Sequence, residues 1–333
     1  MEALKILELF GGIGAPRKAL ENLGVDIKSL DYVEILPFAV QAYNNIFSND
    51  YVPQDVTRWN MSVDLLVHGS PCQDWSKNGL NNINTGRSIL YERTLEIIKS
   101  ELTPRPKKVV WENVPNLLSN RHRMHFDHYL DSMESFGYTN HFKILNARDF
   151  GIPQNRERVF VVSVLGNNKE FQFPEKVEPV KSLKDYIDFD VEPTAYALSE
   201  NEKQLFFREN NKLFIHTNTK MGFQEVEQFD SVNVERPTSK TRRGRIGKQV
   251  VQTITTGATQ VIYYDNVVRH ITAKEYLRLM GYSDIDYFAM REAGISDRQI
   301  IKLAGNSIAV PVLEAIFKKL LDLEEQNGIN ILG

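Results

Sequence analysis

One cysteine, Cys72, in 333 residues excludes an internal disulfide and any multi-cysteine zinc site, so no metal is expected. No apolar run approaches the ~20 residues a membrane helix needs, and the N-terminal stretch carries Glu2 and Glu8 where a secretory signal would want a basic flank. The chain is therefore expected in the cytosol, on no membrane. Internal repeats and low-complexity tracts are missing, and neither sign of charge dominates, since 40 Lys+Arg against 43 Asp+Glu leave −3. With 42% hydrophobic residues, 19 Gly and 13 Pro, disorder and collagen-like repeats are excluded. The length suits about two domains or one elaborated α/β domain.

What is present is locally uneven. Acids outnumber bases between 166 and 235, whereas 236–264 contains Arg236, Lys240, Arg242, Arg243, Arg245 and Lys248 with no acid among its Thr, Ser, Gly and Gln. Such a run reads either as a polyanion contact, with Lys and Arg on phosphates and Thr or Gln on base edges, or as a solvated basic loop.

Short apolar runs alternate with helical stretches through the first hundred residues, the pattern of βα units on a mostly parallel sheet. LKILELF reads as a strand, and Gly11-Gly12-Ile13-Gly14 as a turn into a helix with Pro16 in its first turn. DIKSLDYVE, VDLLVHGS, KKVVWENV and ERVFVVSVLG read as further strands; PFAVQAYNNIF, residues 90–102 and HFDHYLDSMESFG read as helices. The fold class is a Rossmann-like, doubly wound α/β sheet. Regularity fades from about 175 to 264, which suggests a smaller inserted domain; helical periodicity then returns in AKEYLRLMGY and IAVPVLEAIFKKLLDLEEQ. The expected division is therefore 1–174, 175–264 and 265–333.

A glycine turn between strand and helix lets a ligand approach backbone N–H groups, although it also serves as a plain tight connection. Arg17 replaces the last glycine of a G-x-G-x-x-G pattern, so a pyrophosphate finger and a nicotinamide oxidoreductase are disfavoured. Glu34, twenty residues beyond Gly14, is placed to accept from ribose hydroxyls, and Asp55 to hold an adenine amine. An adenosine-bearing ligand without pyrophosphate follows, a description that S-adenosylmethionine meets. Cys72 lies just past a strand, flanked by Ser70, Pro71, Gln73 and Ser76; it reads as a reactive thiol or as a small buried hydrophobe. VVWENV drives an apolar strand into Glu112, a carboxylate costly to bury unless it bonds a ligand or pairs with Arg156 or Arg158 of QNRER.

In order, FGGIG, Glu34, DVT, GSPCQDWS, ENV, QNRER, RHITAKEYLRLMGY and GNSIAVPVLEAI resemble the cytosine-C5 DNA methyltransferase family of bacterial or phage type. The series runs from residue 8 to about 317. The resemblance implies contacts to S-adenosylmethionine from Phe10, Gly12, Ile13, Gly14, Glu34, Asp55, Pro71, Leu90 and Asn306. It makes Cys72 the nucleophile, Glu112 the base-binding acid, and Arg156 and Arg158 their supports. Two departures are conservative: Gly stands second in FGGIG where many members have Ala, and Trp75 stands where Phe is commoner.

On this reading the thiolate adds to C6 of a cytosine rotated out of duplex DNA, which makes C5 nucleophilic toward a methyl sulfonium. Trp75 to Arg87, with Gln73, Ser76, Asn78 and Arg87 as DNA contacts, reads as a loop closing on the duplex or as a surface connection. Target choice falls to 175–264, with Lys240, Arg242, Arg243, Arg245, Thr253 and Thr255 toward the DNA. A monomer is expected, with double-stranded DNA as partner, a restriction endonuclease as genetic partner, and a place on the nucleoid. Two alternatives stand beside it. A tRNA methyltransferase of the same scaffold is disfavoured because its Cys-Phe-Thr signature needs a cysteine other than Cys72, and a non-catalytic DNA-binding protein because Pro-Cys-Gln and Glu-Asn-Val are intact.

Overall fold

The computed structural model describes residues 4–27, 31–59, 63–71, 90–100, 104–166, 171–177, 181–239, 241 and 243–325. The chain forms two compact units. The first comprises Met1–Asn146, Glu157–Lys176 and Ser307–Gly333; the second comprises Ala147–Arg156 and Val177–Asn306.

In the first unit β1 (Ile6–Leu9) leads through the glycine turn into α1 (Ala15–Asn22), with Pro16 in its opening turn where a missing N–H costs nothing. The short β2 (Asp31–Val33) precedes α2 (Pro37–Phe47), again opened by proline. Then come β3 (Leu65–His68), α3 (Tyr91–Lys99), β4 (Lys108–Asn113), α4 (Arg123–Ser135) and β5 (Tyr138–Asn146). After a passage through the second unit that contains β6 (Gln154–Asn155), the chain returns as β7 (Glu157–Leu165).

The central sheet runs β2-β1-β3-β4-β7-β5. Its first four strands are parallel, and β7 is antiparallel to both β4 and β5. All four residues of β1 and β3, and all six of β4, are buried, as a sheet covered on both faces requires. Leu7, Leu9, Leu66, Val109 and Trp111 pack with Tyr91 and Leu95 of α3 and Phe126, Tyr129 and Met133 of α4. Each such side chain is worth about 1.5–3 kcal/mol when fully buried. Because β1 neighbours both β2 and β3, the winding direction reverses beside it. In open α/β sheets, ligands bind beyond the carboxyl ends of the strands at such a reversal.

The second unit carries α5 (Glu200–Lys203), a three-stranded sheet of β8 (Phe206–Glu209), β9 (Lys212–His216) and β10 (Phe223–Val226), and a four-stranded sheet. The latter joins β11 (Ser231–Asn233), β12 (Arg245–Gly247), β14 (Gln260–Tyr264) and β15 (Val267–His270), while β13 (Val251–Gln252) pairs with β6. Three helices follow, α6 (Ala273–Arg278), α7 (Asp284–Glu292) and α8 (Asp297–Asn306), the first two opened by the capping boxes Thr272–Glu275 and Ser283–Asp286. Arg269 and Glu275 form a fully buried pair at 2.7 Å. Arg269 also donates to Tyr264 Oη and the Asp188 carbonyl, and Glu275 accepts from the Asp188 and Thr272 N–H groups. These bonds, with the Tyr276 hydroxyl on Gln260 N, tie α6 to the β14–β15 hairpin. The compact unit therefore ends at 306, not at the 264 expected from sequence.

The chain re-enters the first unit with α9 (Val310–Glu325), whose Val310, Leu313, Ile316 and Phe317 are buried and which packs on α1. Asn22 donates to Glu314 at 2.6 Å between these two helices. The stretch Asp297–Leu321, which takes in α8 and most of α9, passes for a membrane span by length and composition only, and 67% of its most apolar window is buried, as core helices are.

Candidate active site

The glycine turn is shaped by aromatic rings. A Cβ on Gly11 would meet the Tyr32 ring at 2.6 Å and one on Gly14 the Phe47 ring at 2.4 Å, so both positions require glycine. Gly12 differs: its φ is +54° and nothing lies within 4 Å of where a Cβ would stand, which leaves open space over its backbone. Tyr32 Oη donates to the Gly12 carbonyl at 2.7 Å. Phe10, at φ +56°, bends the chain out of β1. Ile13 is buried at 1% exposure, so its side chain belongs to the core under the turn and not to an open face.

Glu34 lies at the end of β2 and accepts from Gly12 N at 3.1 Å, Ile35 N at 2.8 Å and Leu36 N at 2.9 Å. It thus binds the turn to the start of α2, and a carboxylate's roughly four lone-pair directions leave it room for a hydroxyl. Asp55 is exposed and accepts from Thr57 N at 2.9 Å, which with the Thr57 side chain holds its carboxyl below the usual range. Open glycine backbone at a helix start, a carboxylate bonded to it from the next strand and an exposed acid beyond are groups that could hold an adenosine-bearing ligand. Pro71 is half-buried past β3, and Leu90 packs against the core just before α3.

Beneath this turn lies a group that sequence reasoning passed over. Glu8 is buried in β1, and burial pushes its carboxyl up to about 7, an effect partly offset by the Arg17 backbone N–H and the Tyr43 hydroxyl. The signal was an acid inside an otherwise apolar strand.

Strand β4 presents different chemistry on its two faces, because successive side chains alternate. In the ladder Glu112 pairs with Phe160, so Arg158, two residues away on β7, is its diagonal neighbour on the same face. Arg158 Nε reaches Glu112 Oε1 at 2.9 Å, and Nη1 donates to the Glu157 carbonyl. Trp111 and Asn113 on the other face both reach Ser70, two residues before Cys72. These contacts join residues more than forty positions apart and leave no local pattern to read.

The remaining expected residues fall in the second unit or outside the described residues. Arg156, 3% exposed, donates to the carbonyls of Ile254 at 2.8 Å and Gly305 at 3.0 Å; within this unit it is a backbone tie. Asn306 is exposed at the end of α8. Thr253 commits its hydroxyl to the Asn155 carbonyl at 2.7 Å, whereas Thr255 is exposed. Arg245 is exposed on β12 and Arg243 half-buried before it. The basic segment is less free than its own composition implied, because Lys248 pairs with Glu227 at 2.9 Å and Asp230 at 2.8 Å. Cys72, Gln73, Ser76, Asn78, Arg87, Lys240, Arg242 and the stretch Trp75 to Arg87 lie outside the described residues. Among the described residues no group of acidic, histidine or cysteine side chains is arranged to hold a metal.

The profile of the C-5 cytosine-specific DNA methylase family matches residues 4–322. The Type II methyltransferase M.NgoBI of Neisseria gonorrhoeae is 31% identical over 330 residues, spanning 94% of this chain and 92% of its own length. M2.ScrFI of Lactococcus lactis subsp. cremoris is 35% identical over 267 residues, which cover 77% of this chain and 66% of that protein. Among solved structures, the S. pombe Dnmt2 methyltransferase superposes with a TM-score of 0.70 at 20% identity, over 97% of this chain and 99% of that one, a likeness of fold.

Proposed function

Since the chain belongs to the C-5 cytosine-specific DNA methylase family and is a DNA cytosine-5 methyltransferase, we propose that it methylates a cytosine rotated out of duplex DNA through a covalent bond from Cys72 to C6. S-adenosylmethionine, which Gly12, Glu34 and Asp55 would hold, with Phe10, Pro71 and Leu90 beside them, supplies when bound an electrophilic methyl group on a positively charged sulfur.

The chain's own residues make the ring reactive. The Cys72 thiolate forms the bond to C6, and the displaced ring electrons make C5 a nucleophile. Glu112 shares a proton with N3 and accepts from the exocyclic amine, so the charge that develops on the ring is met by a fixed partner. Arg158 holds Glu112 at 2.9 Å and turns remaining N–H donors toward O2. Once C5 carries the methyl group, a base such as water takes its proton, the C–H electron pair restores the C5–C6 double bond, the carbon–sulfur bond breaks to release the thiolate, and N3 returns its proton to Glu112.

The observation that carries this reading is the buried Glu112–Arg158 pair on β4 and β7, with Ser70-Pro71 leaving the adjacent β3 toward Cys72. The second unit would choose the target, with Arg243, Arg245 and Thr255, and Lys240 and Arg242 by sequence, toward the duplex. The named relatives suggest a cognate restriction endonuclease as genetic partner. Bisulfite sequencing of DNA from cells expressing the protein identifies the target. A duplex carrying 5-fluorocytosine at that site should then trap a covalent adduct that Cys72→Ala cannot form. Turnover retained by Cys72→Ala would refute the covalent step.

A further inference from the structure

Trp111 touches both chain stems that flank residues 72–89. On one side its indole Nε1 donates to Ser70 Oγ at 3.0 Å, and Asn113 Nδ2 adds contacts to the Ser70 carbonyl at 3.3 Å and hydroxyl at 3.4 Å. On the other side its ring stacks on Tyr91, the first residue of α3, with centroids 5.8 Å apart and planes 26° apart. The indole has little freedom of its own. His68 lies parallel to it within 4° at 5.7 Å, Tyr129 packs at 4.1 Å and Phe126 at 6.2 Å. His68 is itself fixed by the Tyr129 hydroxyl at 3.1 Å. A buried N–H aimed by four surrounding rings loses little entropy in making its bond, and a Trp N–H left without a partner there would be costly.

We infer that Trp111 and Ser70 are a positioning pair for the nucleophile. The indole fixes the hydroxyl residue from which Pro71 and Cys72 follow, and its stack on Tyr91 fixes the far stem, both from the strand whose opposite face carries Glu112. One strand thereby carries the acid on one face and, on the other, the contacts that hold both chain ends flanking residues 72–89. This rests on the covalent reading above and adds to it residues that touch neither cytosine nor methyl donor.

The test measures the rate of adduct formation with a 5-fluorocytosine duplex and methyl donor, alongside donor affinity, DNA affinity and thermal midpoint. Ser70→Ala and Trp111→Phe should each slow the adduct about ten- to hundredfold, the scale of a small misplacement of a reacting group. Donor and DNA affinities should stay within about twofold, and Ser70→Thr, which keeps the hydroxyl, should restore the rate. Since both substitutions break the indole–hydroxyl bond, the double variant should lose clearly less than the product of the two single losses. Wild-type adduct rates in both single variants, or losses that multiply in the double variant, overturn the inference alone. Should Trp111→Phe fail to fold, Ser70→Ala with Ser70→Thr decides it. A wild-type protein that traps no adduct overturns the covalent reading, and this inference with it.

Discussion

The Arg158 guanidinium lies 2.9 Å from the Glu112 carboxylate, with side-chain exposures of only 15% and 12%. A charge-assisted bond so shielded from water fixes the carboxylate's direction as well as its charge. Arg158→Ala should lower methyl transfer about 10²–10³-fold, the loss typical of one removed donor at a site of developing charge. Arg158→Lys keeps the charge but not the planar fork and should rescue only in part. Single-turnover transfer of labelled methyl, compared with donor affinity by calorimetry, checks both; a fall in donor affinity as large as the fall in rate would contradict the assignment.

The glycines of the turn should separate into two kinds. Gly11→Ala and Gly14→Ala drive a methyl into the Tyr32 ring and the Phe47 and Tyr43 rings, so both should lower the melting temperature and abolish donor binding. Gly12→Ala meets no atom and should cost about 1–2 kcal/mol through its positive φ, yet it places a methyl where the donor would approach. Donor binding should therefore fall more than stability does. Thermal shift and donor titration on the three variants test the ranking, and equal losses of stability in all three would refute it.

Glu8 gives stability a pH dependence of defined sign. Its carboxyl titrates near 4.5 when unperturbed and at about 7 in the fold, so folding takes up a proton between those values. The contribution is full below about 4.5 and is lost as the pH rises through 7, an effect of about 3 kcal/mol. Glu8→Gln cannot titrate and keeps an acceptor for Arg17 N. Between pH 5 and 8 the wild-type melting temperature should fall relative to that of the variant by roughly 5 °C. Parallel curves would show that Glu8 does not bind that proton.

The basic segment should likewise divide. Lys248 is held by Glu227 and Asp230, so Lys248→Ala should leave the salt dependence of DNA binding unchanged. Neutralising Arg243 and Arg245 should reduce the slope of log K against log salt by about one for each phosphate left without its cation. Filter binding between low and moderate salt measures both; a slope altered by Lys248→Ala alone would place the DNA elsewhere.

Most of the first unit was legible because its strands are fully buried runs separated by glycine and proline, and its helices begin where the residues say they should. PFAVQAYNNIF became α2 without a shift. The strand Tyr138–Asn146 was not recognised, since only Tyr138 and Leu145 among its nine residues are buried and Phe142 and Ile144 stay 43% exposed on the sheet's edge. Nor does hydrophobic pattern encode strand direction, so the reversal of β7 between β4 and β5 could not be foreseen. Cys72, Glu112 and the arginines announce themselves by residue type. The bonds that hold such residues join distant positions, as Trp111 does Ser70, and Lys248 shows that counting charges within one run overlooks acids that folding brings to it.

The packing of α9 on α1 also has a history in time. Asn22 and Glu314 are 292 residues apart. At a ribosomal pace of 5–20 residues per second, α1 would wait about 15 to 60 s for its covering helix to emerge. Throughout that interval the apolar side of the nascent N-terminal segment lies bare, a natural foothold for a chaperone. Translation stalled just short of Val310 would leave α1 uncovered and the product prone to aggregate.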